Sequence, residues 1–248
     1  MNFTIILTAP ITSGERQVNF MRKKKSATLN DGCNPELVAG ARFDGDLEIP
    51  SIVKPEKGII PDNIVPFSER KKCSPLNSTI GFFEMDEKFA DVLISPDKYI
   101  DEFLSYQAIV SPDCSLYRNM PLSAQITNIY RSRAIGGYYQ RKGVHVIPLI
   151  RWGSEDTYTT RKLPEKVAFL GVEKQSILAI GTYGCIQSKE DKYFFKSGLE
   201  SMLETLEPNT VLVYGSMPKS VFGDYMTNTK FIQYDNWTTL KHGGEKNG

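Results

Sequence analysis

The sequence has few of the residues that build metal centres and disulfide frameworks. Its 248 residues include only two histidines and four cysteines. The cysteines stand apart, at Cys33, Cys73, Cys114 and Cys185, and none belongs to a C-x-x-C pair. This spacing argues against a structural zinc site and fits a reducing compartment better than a disulfide scaffold. We therefore predict a cytoplasmic protein with no metal and no cofactor.

Long apolar runs are also missing. No stretch approaches the ~20 apolar residues that a transmembrane helix needs, so no membrane partner is predicted. The apolar segment MNFTIILTAPIT precedes the basic run RKKK at 22–25, which is the reverse of the order in a secretory signal. The net charge is +1, so any attraction to nucleic acid has to be local.

Acidic residues are absent from a long central stretch. Between Leu116 and Ser154 the chain has no Asp or Glu, and aromatic residues are interleaved with basic ones. This mixture is typical of phosphate contacts and base stacking, although helix surfaces often carry both residue types. DNA is therefore the predicted partner, while the oligomeric state is left open. The basic residues of the stretch are Arg118, Arg131, Arg133, Arg141, Lys142 and Arg151.

Short apolar runs recur from residue 80 onward, with helix-like segments at 97–105, 120–141 and 189–206 between some of them. Their spacing predicts βαβ units and hence an α/β fold, with a mostly parallel sheet flanked by helices in a single domain. An incomplete or irregular α/β barrel is the alternative. The predicted domain is 46–236, after an irregular lead-in at 1–45 and before a flexible tail at 237–248. The runs are IGFFEM, QAIV, VHVIPLI, SILAIG, TVLVYG and KFIQY.

Two earlier runs, LEIPSI and NIVPF, also resemble short strands. Prolines at 50, 55, 61 and 66 interrupt this region. Because proline cannot donate to a backbone ladder, these runs are not predicted to be central strands.

Polar residues follow several of the predicted strands. In open α/β sheets and barrels, ligands bind beyond the carboxyl ends of the strands. Any one of these residues is explained as the cap of a turn, but their shared placement predicts one cleft. The candidate substrate-binding residues in these positions are Ser115, Arg151, Trp152, Tyr183 and Ser216.

The helix-like segment at 120–141 adds further candidates. At 100° per residue, its amides fall on one stripe beside an apolar face. We interpret these amides as groups that orient a polar ligand by hydrogen bonds. The alternative is a buried polar network that ties the helix to the sheet. Arg133 lies among apolar neighbours, where a guanidinium is expected to meet a carboxylate or a phosphate. The predicted substrate-binding residues on and beside this helix are Tyr117, Gln125, Asn128, Arg131, Arg133, Tyr139 and Gln140.

Three long motifs resemble a catalogued family. They are SPDCSLYRNMPLSAQITNIYRSRAIGGYYQRKGVHVIPLIRWG, AIGTYGCI and VLVYGSMPKSVFG. The family is a domain of unknown function, number 4417, that occurs in bacteria, phages and mobile elements. The resemblance extends over about 36–236. It implies no established activity, and it supports a cytoplasmic protein from a bacterium or a phage.

A second, weaker resemblance is to the uracil-DNA glycosylase superfamily. It depends on Asp113 after a strand and on the later VLVYGS strand. In that superfamily a strand-end Asp activates water, which would give Asp113 this role. The chain departs from the pattern in two places. Pro112 precedes Asp113 instead of following it, and QYDN stands near the place of the late His-Pro-Ser loop.

Asp113 is the predicted catalytic residue, because a carboxylate at a strand end can orient or deprotonate water. The predicted function is a nucleic-acid-directed hydrolase that cleaves an N-glycosidic bond after the base is flipped into the cleft. The setting would be a conflict that involves phages or mobile elements. One alternative is a non-catalytic nucleic-acid-binding or phage–host interaction protein. The other is a metal-dependent nuclease that uses Glu84, Asp86, Asp113 and Asp235.

Overall fold

A computed structural model describes residues 34–237. The predicted lead-in up to residue 33, the basic run at 22–25 and the tail from 238 onward lie outside the described residues. The helices are α1 (Ala90–Ile94), α2 (Ile100–Leu104), α3 (Leu122–Arg141), α4 (Glu155–Tyr158), α5 (Lys189–Leu206) and α6 (Lys219–Phe222). Short 3-10 segments are Pro35–Val38, Phe67–Lys72, Pro75–Asn77, Asp86–Lys88, Pro96–Tyr99, Val167–Phe169 and Gly223–Tyr225.

The strands form one small hairpin and two parallel sheets. Strands β1 (Phe43–Asp44) and β2 (Ile49–Pro50) pair antiparallel. The other strands pair only in parallel and follow one another in chain order within each sheet. The first sheet contains β3 (Ile64–Pro66), β4 (Thr79–Gly81), β5 (Ala108–Val110) and β6 (Val146–Ile147), and the second contains β7 (Ile177–Gly181), β8 (Thr210–Tyr214) and β9 (Phe231–Tyr234).

The two parallel sheets meet between β6 and β7. Leu149 and Ala179 form a parallel bridge there. The Ala179 amide donates to the Pro148 carbonyl at 2.9 Å, and the Ile150 amide donates to the Ala179 carbonyl at 2.8 Å. The strand order therefore continues from one sheet into the next. The predicted α/β fold, with a mostly parallel sheet flanked by helices in a single domain, is confirmed.

The two parallel sheets share one apolar cluster, as the strands of a barrel would. The cluster takes side chains from β3, β5, β6, β7, β8 and β9, including Ile64, Val110, Leu212 and Tyr234. Within residues 34–237, no backbone ladder joins β9 to β3, so the barrel does not close. The Tyr234 hydroxyl spans that gap by donating to the Pro61 carbonyl at 2.7 Å.

The proline-rich region before residue 80 lies at an edge, as predicted. Strand β3 is the outer strand of the first sheet, and Pro66 is its last residue. Proline is tolerated there because an edge strand leaves some of its donors without a ladder partner.

Helix α5 begins and packs as its sequence indicates. The Ser188 hydroxyl accepts from the Asp191 amide at 3.0 Å, and the Asp191 carboxylate accepts from the Ser188 amide at 3.1 Å. This capping box satisfies two donors that the first turn leaves open. Phe195, Leu199 and Met202 lie on the buried face of the helix. The helix therefore has a defined first turn, and its buried face packs into the apolar cluster that includes residues of β7 and β8.

Helix α3 lies against the segment that follows β2. A Cβ atom on Gly136 would come within 2.5 Å of the Ile52 Cδ1 atom, and one on Gly137 within 2.9 Å of the Ser51 carbonyl oxygen. Because these two glycines have no side chains, the chain at residues 51–52 can pack closely against the helix. None of the helices within residues 34–237 is long and apolar enough to cross a membrane.

Candidate functional site

A cleft of about 840 Å³ opens at the carboxyl ends of β4, β5, β6 and β7. The segments that follow these strands line it, and the N-terminal turns of α5 complete the wall. This volume is within the range of small-molecule sites. Its position agrees with the rule that open α/β sheets bind ligands beyond the carboxyl ends of their strands. Of the predicted site residues, those that line the cleft are Asp113, Ser115, Tyr117, Arg151, Trp152 and Tyr183.

An ion pair between the partly buried Arg151 and the buried Asp113 lies at the floor of the cleft. The Arg151 Nη1 atom donates to Asp113 Oδ2 at 2.6 Å, and Asp113 is only 6% exposed. The other carboxylate oxygen, Asp113 Oδ1, is buried and has no hydrogen-bond partner among the described residues. A buried acceptor in that state costs about 1–3 kcal/mol until a donor reaches it. Asp113 thus keeps the capacity to accept one more hydrogen bond, at an oxygen that is buried beside the cleft.

Burial and the ion pair act in opposite directions on these two charges. Burial raises the pKa of the Asp113 carboxyl, and the Arg151 guanidinium partly opposes that rise. Burial is the largest single influence on the pKa of Arg151 and lowers it, but the Asp113 carboxylate and neighbouring groups together outweigh burial and raise the pKa. Arg151 therefore stays protonated and gives Asp113 a permanent counter-charge.

Aromatic rings form the walls. The Phe83 ring stacks on Tyr214 with centroids 4.5 Å apart, and the Trp152 ring packs against Phe195 at 4.9 Å. At the mouth, Tyr117 and Tyr183 are 56% and 60% exposed. Rigid rings around a polar floor suit a flat ligand that stacks by its faces and forms hydrogen bonds at its edge.

The rim carries both signs of charge. Arg118 contacts Glu190 at 3.2 Å and Asp191 at 3.4 Å. Its guanidinium carbon lies 4.2 Å from the centre of the Phe194 ring. Arg118 is therefore held against α5 by two carboxylates and an aromatic face.

The loop after Asp113 is fixed from outside the cleft. Asp86 accepts from the Ser115 hydroxyl at 2.7 Å and from the Ser115 amide at 3.2 Å. The Asn128 amide donates to the Ser115 carbonyl at 2.7 Å, and Arg131 donates to Asn128 at 3.1 Å. Asn128 and Arg131, both predicted to bind substrate, thus lie behind the loop and position it.

Two other predicted residues join α3 to neighbouring segments. Gln125 donates to the Met120 carbonyl at 2.6 Å and accepts from the Ser154 amide at 2.8 Å. Gln140 accepts from the Val53 amide at 2.8 Å and donates to the Val53 carbonyl at 2.7 Å. Neither side chain lines the cleft. Their contacts match the alternative interpretation, a buried network that ties the helix to its surroundings.

The expected partner of Arg133 was wrong. The side chain is fully buried, but its partners are backbone carbonyls instead of an acid or a phosphate. It donates to Leu149 at 2.6 Å, to Leu170 at 3.0 Å and to Ala168 at 3.1 Å. Three carbonyl dipoles satisfy the guanidinium, and in return it joins three segments that have no ladder between them.

Two more predicted residues lie away from the cleft. Tyr139 is buried in the apolar cluster beside β4 and β5, and its hydroxyl donates to the Pro96 carbonyl at 3.0 Å. Ser216 is exposed, and its carbonyl accepts from the Thr182 hydroxyl at 2.9 Å. For both residues a role in binding substrate stays a prediction that their position does not favour.

The basic flank is not an open basic surface. Arg141 donates to the Leu37 carbonyl, and the Lys142 amine lies 5.3 Å from the centre of the Tyr138 ring. The other basic residues of the flank have the acidic, amide or carbonyl partners given above. Most of these cations thus have partners within the fold, and phosphate contacts by the flank stay a prediction.

Sequence reasoning missed part of the cleft. Phe83 belongs to the apolar run IGFFEM and lies just beyond β4, and Phe194 lies in the helix-like segment 189–206. Cys185 follows Tyr183 in the loop after β7, with its Sγ atom 3.7 Å from Arg151 Nη2. The strand-end rule that pointed to Tyr183 would also have indicated Cys185, whereas an apolar residue carries no such signal.

The carboxylates of the nuclease alternative do not assemble. Asp86 binds Ser115, and Glu84 accepts from the Ser68 hydroxyl at 2.7 Å. Across residues 34–237, no group of three His, Cys, Asp or Glu side chains is close enough to hold a metal ion.

Comparisons with known proteins point to phages. The "Gene 1 protein" of Mycobacterium phage L5 is 35% identical over 138 residues, which is 56% of this chain and 57% of the phage protein. The "Gene 1 protein" of Mycobacterium phage D29 is 30% identical over 161 residues, or 64% of this chain and 57% of the phage protein. The matched region thus spans little more than half the length of these relatives.

No solved structure matches the chain. The comparisons give no support to the resemblance to uracil-DNA glycosylases. The resemblance to the catalogued family, in contrast, is confirmed over nearly all of the described residues. Residues 41–235 match the family described as "Domain of unknown function (DUF4417)", and the chain therefore belongs to it.

Proposed function

We propose that the cleft binds a nucleobase and that Asp113 assists hydrolysis of its N-glycosidic bond. The observation that carries this proposal is the unpaired, buried Asp113 Oδ1 atom at the floor of an aromatic cleft. Aromatic walls accept the faces of a base, and a buried carboxylate accepts a hydrogen bond at its edge or from a water beside it. An apolar ligand would leave that oxygen without a donor.

The reaction is a displacement by water. Water adds to the anomeric carbon, the C–N bond breaks, and the base leaves with the electron pair and takes up a proton. Positive charge develops on the sugar as the bond stretches. An ionised Asp113 would stabilise that charge or orient the water, while Arg151 keeps the carboxylate in place.

The substrate would be DNA or one of its nucleoside units, encountered by a protein related to phage proteins. Support for this setting comes from the two phage relatives. Support for a base comes from the aromatic rings that line the cleft and from the exposed Tyr117 and Tyr183 at its mouth. The basic flank gives little additional support, because most of its cations have partners within the fold.

The test is base release. Purified protein is incubated with single- and double-stranded DNA and with nucleosides, with and without chelator. Free base is measured by chromatography, and abasic sites are revealed by alkali. We expect release that tolerates chelator and is lost in Asp113→Asn. The matched control is Asp156→Asn, since Asp156 is equally buried and ion-paired but lies outside the cleft. Equal activity of wild type and Asp113→Asn would contradict the proposal.

A non-catalytic binding protein is the second candidate. The favouring observation is that Arg151 already occupies Asp113 Oδ2 at 2.6 Å, which reduces the basicity of the carboxylate. On this candidate the pair would read the edge of a bound base without cleaving it. Saturable binding with no base release from any substrate would favour it.

A further inference from the structure

The charges of the cleft indicate which form of a base-bearing ligand it accepts. We infer that the cleft selects an uncharged nucleoside over a phosphate-bearing nucleotide or strand. This inference rests on the proposed function for the base itself and adds the charge of the ligand. The charged residues that line the cleft are three carboxylates, Glu84, Asp113 and Asp191, and two guanidiniums, Arg118 and Arg151, with no lysine among the described lining residues.

The positive charge of the inner guanidinium, Arg151, is already paired with the Asp113 carboxylate. Arg151 Nη1 is bonded to Asp113 at 2.6 Å, and Nη2 lies 3.7 Å from the Cys185 sulfur. A phosphate drawn to Arg151 would approach the Asp113 carboxylate as well. Because Asp113 is buried and Arg151 partly buried, that repulsion is less screened than it would be at an exposed site.

The outer guanidinium is compensated twice. Arg118 contacts Glu190 and Asp191, and only 39% of its side chain is exposed. Its cationic face is turned to the Phe194 ring, 4.2 Å from the ring centre. A phosphate that approaches Arg118 at the rim would meet the two carboxylates beside it.

The third side of the mouth is also acidic. The Glu84 carboxylate is almost buried, and it accepts from the Ser68 amide at 2.9 Å and from its hydroxyl at 2.7 Å. Lys88, at 3.5 Å, is the only cation paired with it among the described residues. The mouth therefore offers no concentration of positive charge like those that bind phosphates.

An uncharged nucleoside meets none of these obstacles. Its base can stack between exposed rings such as Tyr117 and Tyr183, and an N–H group can donate to Asp113 Oδ1. Such binding depends on stacking and one buried hydrogen bond. It should therefore change little with salt.

The experiment compares nucleosides with their phosphates. Adenosine, guanosine, cytidine and thymidine are titrated by calorimetry at low salt, beside their 5′-monophosphates and a thymidine decanucleotide. Carbocyclic nucleoside analogues, which have no glycosidic bond to cleave, repeat the measurement without turnover. We expect at least one nucleoside to bind about tenfold more tightly than its monophosphate, with an affinity that salt does not alter. Equal or tighter binding of the phosphate forms, or no binding of any nucleoside, would overturn the inference.

A charge variant provides a positive signal. Glu190→Gln removes one partner of Arg118, so it should raise the affinity for the monophosphate several-fold and leave the nucleoside affinity unchanged. Glu200→Gln, an exposed change on the same helix, is the matched control and should change neither. Base release is not measured in these titrations. Nucleoside binding without hydrolysis would therefore contradict the proposed function and leave this inference intact. Base release from DNA without nucleoside binding would contradict this inference and leave the proposed function intact.

Discussion

The loops at the strand ends and helix α3 carry similar polar residues, yet the fold uses them differently. Asp113, Arg151 and Tyr183 lie beyond the ends of strands, where the sheet leaves an opening, and they face the cleft. Gln125 and Arg133 lie on a helix covered by other segments, and backbone groups take up their hydrogen-bonding capacity. Polar residue type alone does not identify a ligand site. What matters is whether backbone groups lie within reach.

The largest expected effect is the loss of base release when Asp113, at the strand ends, is changed. Asp113→Asn should lower base release by about 10²–10⁴-fold, since it removes the charge that assists water. It should also lower the melting temperature, because Arg151 then keeps a partly buried charge without a counter-charge. Rate and melting temperature are measured together. The double variant Asp113→Asn with Arg151→Met should recover stability without recovering activity, and recovered activity would contradict the assignment.

The next effect is on stability alone. Arg133→Met should destabilise the fold by about 3–5 kcal/mol, because three buried carbonyls lose their donor and each such loss costs about 1–3 kcal/mol. Urea unfolding measures the change. Arg161→Met, which removes an arginine with a 61% exposed side chain, is the control and should cost no more than about 1 kcal/mol. A small loss at Arg133 would show that the carbonyl contacts contribute little.

A smaller effect concerns ligand affinity at the mouth. Tyr183→Ala should weaken binding of a base-bearing ligand by about 1–3 kcal/mol through lost stacking. Its stability should change by less than about 0.5 kcal/mol, since the ring is 60% exposed. Tyr193→Ala removes an equally exposed ring that does not line the cleft, so its affinity should match wild type. If both variants bind the ligand equally weakly, the loss in Tyr183→Ala does not come from stacking at the mouth of the cleft.

The smallest effect is the pH dependence of stability. Burial raises the pKa of Asp113 above its ordinary value of 3.8, so the folded state binds a proton more readily than the unfolded state. The free energy of unfolding contributed by this group should therefore fall as the pH rises above 3.8 and level off above the raised pKa. The slope is at most about 1.4 kcal/mol per pH unit. It should be absent in Asp113→Asn, and identical pH profiles for the two proteins would rule out the raised pKa.

The sequence predicted the sheet well because its signals are local. Continuous apolar runs such as TVLVYG correspond to strands buried on both faces, and β8 is buried throughout. The placement of Asp113 and Arg151 beyond strand ends followed from the same pattern. Their direct contact did not, because it joins residues far apart in the chain.

Helix α3 was harder to interpret because carbonyl groups have no sequence signature. Nothing near Arg133 in the sequence indicates that the carbonyls of Leu149, Ala168 and Leu170 converge on it. Phe83 and Phe194 were missed for a related reason, since an aromatic ring in a wall and one in a core have the same local pattern. Only the tertiary fold distinguishes them.

The most direct test of the central claim is a crystal structure of the protein with a bound nucleoside. The account predicts that the base lies in the cleft beside Tyr117 or Tyr183, with a ring N–H or amino group donating to Asp113 Oδ1. It also predicts that Gln125, Arg133 and Gln140 keep their backbone partners. A nucleoside bound against helix α3, or in the cleft without contact to Asp113, would contradict it.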